Sequence, residues 1–172
     1  MNRLIILLLP VLLVVGCSSK EPINRDLMLI ERDRLYYTKD TNKPYSGRVF
    51  TLYDNGENKL ECGYKDGELD GLYTLWYENR QKEEEGTFKN GYPVGKYTLW
   101  HENGQKKKEE YWSYDKGAIG THTNWYEDGT KEKEHNYEDG ELNGKVIFWN
   151  EDGSKSSESV YKNGELINET NY

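Results

Sequence analysis

From residue 47 onward the hydrophobic positions cluster in runs of seven or eight residues, rich in Tyr, Trp, Thr, Val and Phe, that are cut at regular intervals by glycine. Tyr73-Thr74-Leu75-Trp76-Tyr77 and Val146-Ile147-Phe148-Trp149 are examples. No 3.6-residue period survives across the glycines, so the runs read as β-strands rather than helices. Aligned on itself, the chain gives five units starting at Gly47, Gly71, Gly95, Gly120 and Gly144, spaced by 24, 24, 25 and 24 residues. A fixed period of this length marks a repeat architecture. A second punctuating position reads Gly56, Arg80, Gly104, Gly129 and Gly153, and a third reads Gly67, Gly91, Gly117, Gly140 and Gly164. Eight of these ten turns are Asn-Gly or Asp-Gly, the dipeptides that tolerate positive φ and signal a hairpin. The pattern predicts an all-β fold: an elongated antiparallel meander of five stacked hairpins over residues 47 to 172. Ten strands at ~4.8 Å spacing make a twisted sheet ~48 Å long.

Within the units, unlike residue types recur at fixed places. Trp76, Trp100, Trp125 and Trp149 share one position of the first strand, with Leu52 there in the first unit. They form a ladder, read either as a sugar-stacking platform or, in the favoured reading, as rungs that pack on each other to hold a thin sheet. Glu61, Glu85, Glu109, Glu134 and Glu158 recur on the second strand, near Lys82, Lys106, Lys131 and Lys155. A cation-binding row is one reading of the carboxylates; neutralised surface ladders are the better one. The face they occupy is left open, because one residue more or less in a loop moves them to the other side. Cys62 aligns with Gly86, His135 and Ser159, so sulfur does not recur and a small, half-buried strand residue is expected there.

Two segments break the pattern. Residues 27 to 38, LMLIERDRLYYT, read as an extra hairpin turning near Asp33-Arg34, which with a lead-in to residue 46 caps the open edge of the first repeat. In the third unit Tyr111-Trp112-Ser113-Tyr114 adds two residues and several aromatics, as a bulge or as a partner-contact patch. A uniform face that repeats every 24 residues suits an extended protein or polymer better than a small molecule in a pocket. Specificity is expected where the repetition fails, around Tyr111, Trp112 and Tyr114 with Trp100 and Trp125 flanking.

The first seventeen residues, MNRLIILLLPVLLVVGC, have Arg3 ahead of a twelve-residue apolar run from Leu4 to Val15. A bilayer span needs ~20 residues, so the run has signal-peptide form. Its end, Leu13-Val14-Val15-Gly16-Cys17, resembles the bacterial lipobox. That resemblance implies a signal peptide over residues 1 to 16, an acylated Cys17 as the new N-terminus, a polar tether over 17 to 26, and a place in the bacterial cell envelope. The membrane reached is either the outer membrane or the outer face of the cytoplasmic membrane. Acyl chains contribute ~0.8 kcal/mol per buried CH2, enough for several chains to anchor a domain firmly.

Composition narrows the function classes. Hydrophobic residues are only 34%, yet the 13% aromatic content and 15 tyrosines argue against disorder. The formal charge is −8, with no Lys/Arg block that could track a phosphate backbone, so nucleic acid is not expected as a partner. His101, His122 and His135 lack metal-ligand spacing and replace Tyr, Tyr and Gly of other units. No phosphate loop or Ser-His-Asp set stands out, so neither an enzyme nor a metal or other cofactor is expected.

The phrases Trp-Tyr-Glu-Asn-Arg (Trp76 to Arg80), Trp-Tyr-Glu-Asp-Gly (Trp125 to Gly129) and Tyr-Lys-Asp-Gly-Glu-Leu-Asp-Gly (Tyr64 to Gly71) resemble the variant MORN repeat. That repeat occurs in bacterial proteins labelled YwqK-type antitoxins. The resemblance extends over residues 27 to 172 and includes the Asn42-Lys43-Pro44-Tyr45-Ser46-Gly47 lead-in. It implies stacked β-hairpins and a direct protein contact, a toxin in the sharper version, with no catalytic residues to carry over. Arg80 in place of a turn glycine and the irregular third unit depart from the pattern. The expectation is a non-catalytic, membrane-anchored repeat protein that binds another protein, as an antitoxin- or immunity-like factor or as a surface scaffold; the alternative is glycan or peptidoglycan binding through the tryptophan ladder.

Overall fold

The computed structural model describes residues 21–172. The signal peptide over 1–16 and Cys17 with Ser18 and Ser19 therefore lie outside the described residues. The chain opens with β1 (Ile23–Asn24), a single turn of helix α1 (Arg25–Met28), β2 (Leu29–Arg32) and β3 (Leu35–Thr38). The repeats follow as β4 (Gly47–Leu52), β5 (Asn58–Lys65), β6 (Glu68–Trp76), β7 (Lys82–Lys89), β8 (Tyr92–Trp100) and β9 (Lys106–Ser113). After them come β10 (Gly117–Ala118), β11 (Gly120–Trp125), β12 (Lys131–Glu138), β13 (Glu141–Trp149), β14 (Lys155–Lys162) and β15 (Glu165–Asn171). From β4 to β15 each strand pairs antiparallel with the next in one open sheet, with β10 folded back on β9 and β11 taking the following place. The predicted meander of consecutive hairpins is the observed fold. Eleven strands, β4 to β9 and β11 to β15, stand where ten were expected, because the Asn163-Gly164 turn returns the chain as β15 on the edge of β14; the short β1 and β10 bring the sheet to thirteen.

The two kinds of glycine punctuation make two kinds of turn. At Asp66-Gly67, Asn90-Gly91, Asp139-Gly140 and Asn163-Gly164 both residues have positive φ, between 50° and 87°, as a two-residue type I′ hairpin requires. At the opposite end of the sheet, just past each tryptophan, only the last turn residue is left-handed, as at Gly56, Gly104, Gly129 and Gly153. There the preceding Asn or Asp accepts the N–H two residues on, from Asn55 Oδ1 with Glu57 (2.9 Å) to Asp152 Oδ1 with Ser154 (2.8 Å). Arg80 keeps this geometry at φ 70°, and its guanidinium reaches Glu57 of the preceding unit at 2.6 Å. The departure from glycine thus leaves the turn intact and adds an ion pair between units.

The N-terminal segment caps the sheet differently from the expectation. β2 and β3 form their own two-stranded sheet, turning at Asp33 and Arg34 as predicted, but they do not extend the meander. Residues 23 to 26, assigned to the tether, supply β1 and the first residues of α1, and β1 lies parallel to β4 at Val49 and Phe50. The hairpin instead covers one face of the first repeats. Leu29 and Tyr45 join Val49, Leu60, Cys62 and Tyr64 in a buried cluster, with Tyr36 and Ile23 packed against it. Layering buries these apolar side chains, whereas edge pairing would satisfy the backbone and leave Leu29 and Tyr36 in water.

Register assigns the rows to faces. One face carries Val49, Cys62, Tyr73 and Gly86 as successive partners, and further along His122, His135, Val146 and Ser159. Gly86 is small there because a Cβ would stand 2.2 Å from the Tyr97 ring. The other face carries an alternating row: Glu61, Thr74, Glu85, Thr98, Glu109, Thr123, Glu134, Ile147 and Glu158. At each tryptophan the register slips by one residue, as between Leu75 and Trp76, where Trp76 opposes Lys82 and Glu83 is left over. Those bulges put the recurring lysine three residues before the recurring glutamate on the same face.

Candidate functional site

The tryptophan position builds the far edge of the glutamate face, although not as rings in mutual contact. Consecutive tryptophans lie two strands apart, ~9.6 Å, beyond the reach of ring-on-ring packing. A lysine fills each interval: Lys82 Nζ stands 5.8 Å from the Trp100 ring centre, Lys106 5.6 Å from Trp125, and Lys131 5.6 Å from Trp149. The expectation that the rungs pack on each other is thus corrected to an alternating Trp–Lys ladder. The same lysines pair with the glutamate row, Lys106 with Glu109 at 2.6 Å and Lys155 with Glu158 at 2.7 Å, and Lys82 and Lys131 likewise with Glu85 and Glu134. Burial acts against the charged form of Glu109, but hydrogen bonds from Lys106 and Lys96 prevail and hold its carboxyl at about 2. These are neutralised ladders, the reading favoured from sequence, and one face of each of these three rings is already taken by an ammonium.

Just past each tryptophan a second element joins unit to unit. The hydroxyl of Tyr53 donates to the Trp76 carbonyl at 2.6 Å, Tyr77 to that of Trp100 at 2.7 Å, and Tyr126 to that of Trp149 at 2.8 Å. His101 stands in the same place, with Nε2 2.9 Å from the Trp125 carbonyl. Its occurrence in a tyrosine position thus preserves the contact. Cys62 is buried beside Val49 and Tyr73, and burial pushes its thiol up to about 11, so it stays protonated and unreactive near neutral pH.

The five residues singled out as a contact patch fall in four places. Trp100 and Trp125 belong to the ladder at one end of the sheet. Tyr111 lies with the glutamate row, donating to Glu109 Oε1 at 3.1 Å. Trp112 is on the opposite face, opposed to Gly95, half-buried against His122 with ring centres 5.7 Å apart, its Nε1 donating to Glu110 at 3.3 Å. Of the five only Tyr114 is exposed, at 45%, in the turn that follows β9. The two added residues make neither a bulge in β9 nor a continuous aromatic surface. They widen that turn to three residues between Ser113 and Gly117, and the returning strand breaks at Ile119 into β10 and β11.

At the rim Tyr114 meets an aromatic that the repeat comparison passed over. Tyr92, 66% exposed, contacts it edge to face with centroids 6.2 Å apart. Asn90 Nδ2 donates to the Tyr114 hydroxyl at 3.1 Å, and Lys89 Nζ lies 5.0 Å from its ring centre. On its other side Tyr92 borders a groove of about 510 Å³, shared with Arg34, Leu35, Tyr36 and Leu69 below the capping hairpin. The signal was present in the sequence: the residue after the turn glycine is Glu68, Glu141 and Glu165 in three units but Tyr92 here. Among the described residues no group of three or more His, Cys, Asp or Glu side chains is placed to hold a metal ion. No protein-family model matches the chain, and no curated protein matches it.

Proposed function

We propose that this is a non-catalytic, MORN-like repeat protein, tethered to a bacterial membrane through acylated Cys17, that binds another protein at the rim around Tyr92 and Tyr114. The observation that carries the reading is the exposed Tyr92–Tyr114 pair, which sits where the repeat departs from its own pattern and beside a groove. Rigid amphipathic aromatics of this kind dominate binding hot spots. An antitoxin- or immunity-like role, with a toxin as the partner, is the sharper form of the same reading.

The test replaces Tyr92 and Tyr114 together with Ala and repeats a pull-down from envelope extract beside a peptidoglycan sedimentation assay. Truncating a hot-spot aromatic costs ~2 kcal/mol or more, a loss of at least ~30-fold in affinity. A partner protein lost by the variant, with the melt unchanged, supports the proposal. Retention of every protein ligand, or loss of glycan sedimentation alone, overturns it.

A further inference from the structure

We infer that the joint between the third and fourth units is an acid-responsive seam, in which the buried His135 ring, packed against His122, keeps β9, β11 and β12 together when neutral and loosens them on protonation. This inference does not depend on the identity of any partner. The two histidines oppose each other directly across β11 and β12, 2% and 7% exposed, with ring centres 5.5 Å apart. In the second unit the equivalent pair is Tyr73 opposite Gly86, which cannot titrate near neutral pH. Two imidazoles thus replace that pair in the fourth unit, next to its joint with the third.

The surroundings treat the two rings unequally. Ile119 N–H donates to the Tyr111 carbonyl at 2.9 Å, and Tyr111 N–H donates to His122 Nε2 at 3.1 Å. That network assigns the neutral ring's proton to Nδ1, which faces Glu110 Oε1 at 3.8 Å. His122 Nε2 also lies 3.0 Å from the Tyr111 carbonyl, so both of its ring nitrogens have polar neighbours. The His135 ring does not: its Nδ1 is buried with no hydrogen-bond partner. Lys133 from its own strand, His122 from β11 and Lys108 from β9 all face it with positive or potentially positive charge, against Glu110 alone. Glu110 is itself engaged by Lys108 at 2.5 Å. Across β13 the neighbour is Val146, which offers no compensation, and the Tyr137 ring closes the remaining side at 5.3 Å.

Burial, then the neighbouring lysines and His122, lower the His135 imidazole from its ordinary 6.5 to about 4. The sign follows from linkage: the loosened joint takes up this proton as pH falls through about 6.5 and the closed joint only near 4. Closure therefore weakens across that window and is fully restored above it. At the seam β9 meets the returning strand in two separate pieces, with two register pairs to β10 and two to β11. Glu109, on the opposite face, loses its own contribution only at lower pH, from about 4.5 toward about 2.

Amide hydrogen exchange at pH 7 and pH 5, expressed as protection factors, tests the inference, with the His135 ring followed by NMR titration. Protection in β9, β11 and β12 is expected to fall about twenty-fold, the linkage factor for 6.5 against about 4, while β5 to β8 change less than about two-fold. The double variant His122→Tyr/His135→Gly, which installs the second unit's pair, abolishes the difference; His135→Ser, the residue of the fifth unit, does the same if the double variant fails to fold. An equal fall in these variants, a uniform fall over all strands, or a His135 ring that titrates near 6.5 overturns the proposal.

Discussion

Replacing Tyr53 and Tyr77 together with Phe isolates the contacts that join the first three units. Each ring stays in place, and only the hydroxyls that reach the Trp76 and Trp100 carbonyls, at 2.6 and 2.7 Å, are removed. Burial and nearby carboxylates raise both phenols above their ordinary value, so at neutral pH the change alters no charge. A neutral hydrogen bond contributes about 1 kcal/mol net, and the two bonds lie in different joints with no shared partner, so their effects add to about 2 kcal/mol. For a chain of this size that is roughly 4 to 8 °C in Tm, read by circular dichroism and checked by urea denaturation at constant m. A double variant that melts within about 1 °C of the parent refutes the idea that these hydroxyls hold unit to unit. His101→Tyr is the matching control, since it restores the repeat's own residue and is expected to melt at or above the parent.

Removing residues 71 to 94, one whole period, is expected to shorten the sheet and keep its β signature, whereas removing twelve residues from Gly71 mispairs the strands; equal circular dichroism melts for the two deletions contradict a 24-residue unit. Gly104→Val places a β-branched residue at φ 85° with its Cβ 2.3 Å from Gln81 Oε1, and is expected to lower stability by ~1 kcal/mol or more in a urea titration. Cys17→Ser is expected to release the protein from the membrane fraction with the repeats still folded; a mutant that stays with membranes after cleavage of the signal segment ends the lipoprotein reading.

The glycines made the meander legible, because each Asn-Gly or Asp-Gly is a local backbone requirement that needs no tertiary context. The faces were not legible. The slip at each tryptophan, such as that between Leu75 and Trp76, leaves one residue unpaired, and parity counted along the sequence fails across it. For the same reason the lysine that separates successive tryptophans could not be placed between them from spacing alone. The cap was found as a hairpin but assigned to the sheet edge, since nothing local distinguishes a strand that pairs from one that layers. At the rim the order was reversed. Tyr114 was singled out, but its neighbour Tyr92 was passed over although it stands where three other units carry glutamate. The period is carried by Trp and Gly, and the residue after the turn glycine varies too much to mark it. Trp112 carried the insertion's aromatic character in sequence, yet it packs as the third unit's counterpart of Phe88, which opposes Gly71 as Trp112 opposes Gly95.

A photo-crosslinking amino acid placed at position 92 or 114, with a third version at position 126 as control, tests the central claim most directly. Tyr92 and Tyr114 are exposed at the rim, whereas the Tyr126 hydroxyl is bound to the Trp149 carbonyl at the other end of the sheet. Irradiation of cells expressing each version is expected to give one discrete protein adduct from positions 92 and 114 and none from 126. Adducts of equal pattern from all three positions, or none from any, contradict a protein contact at the rim.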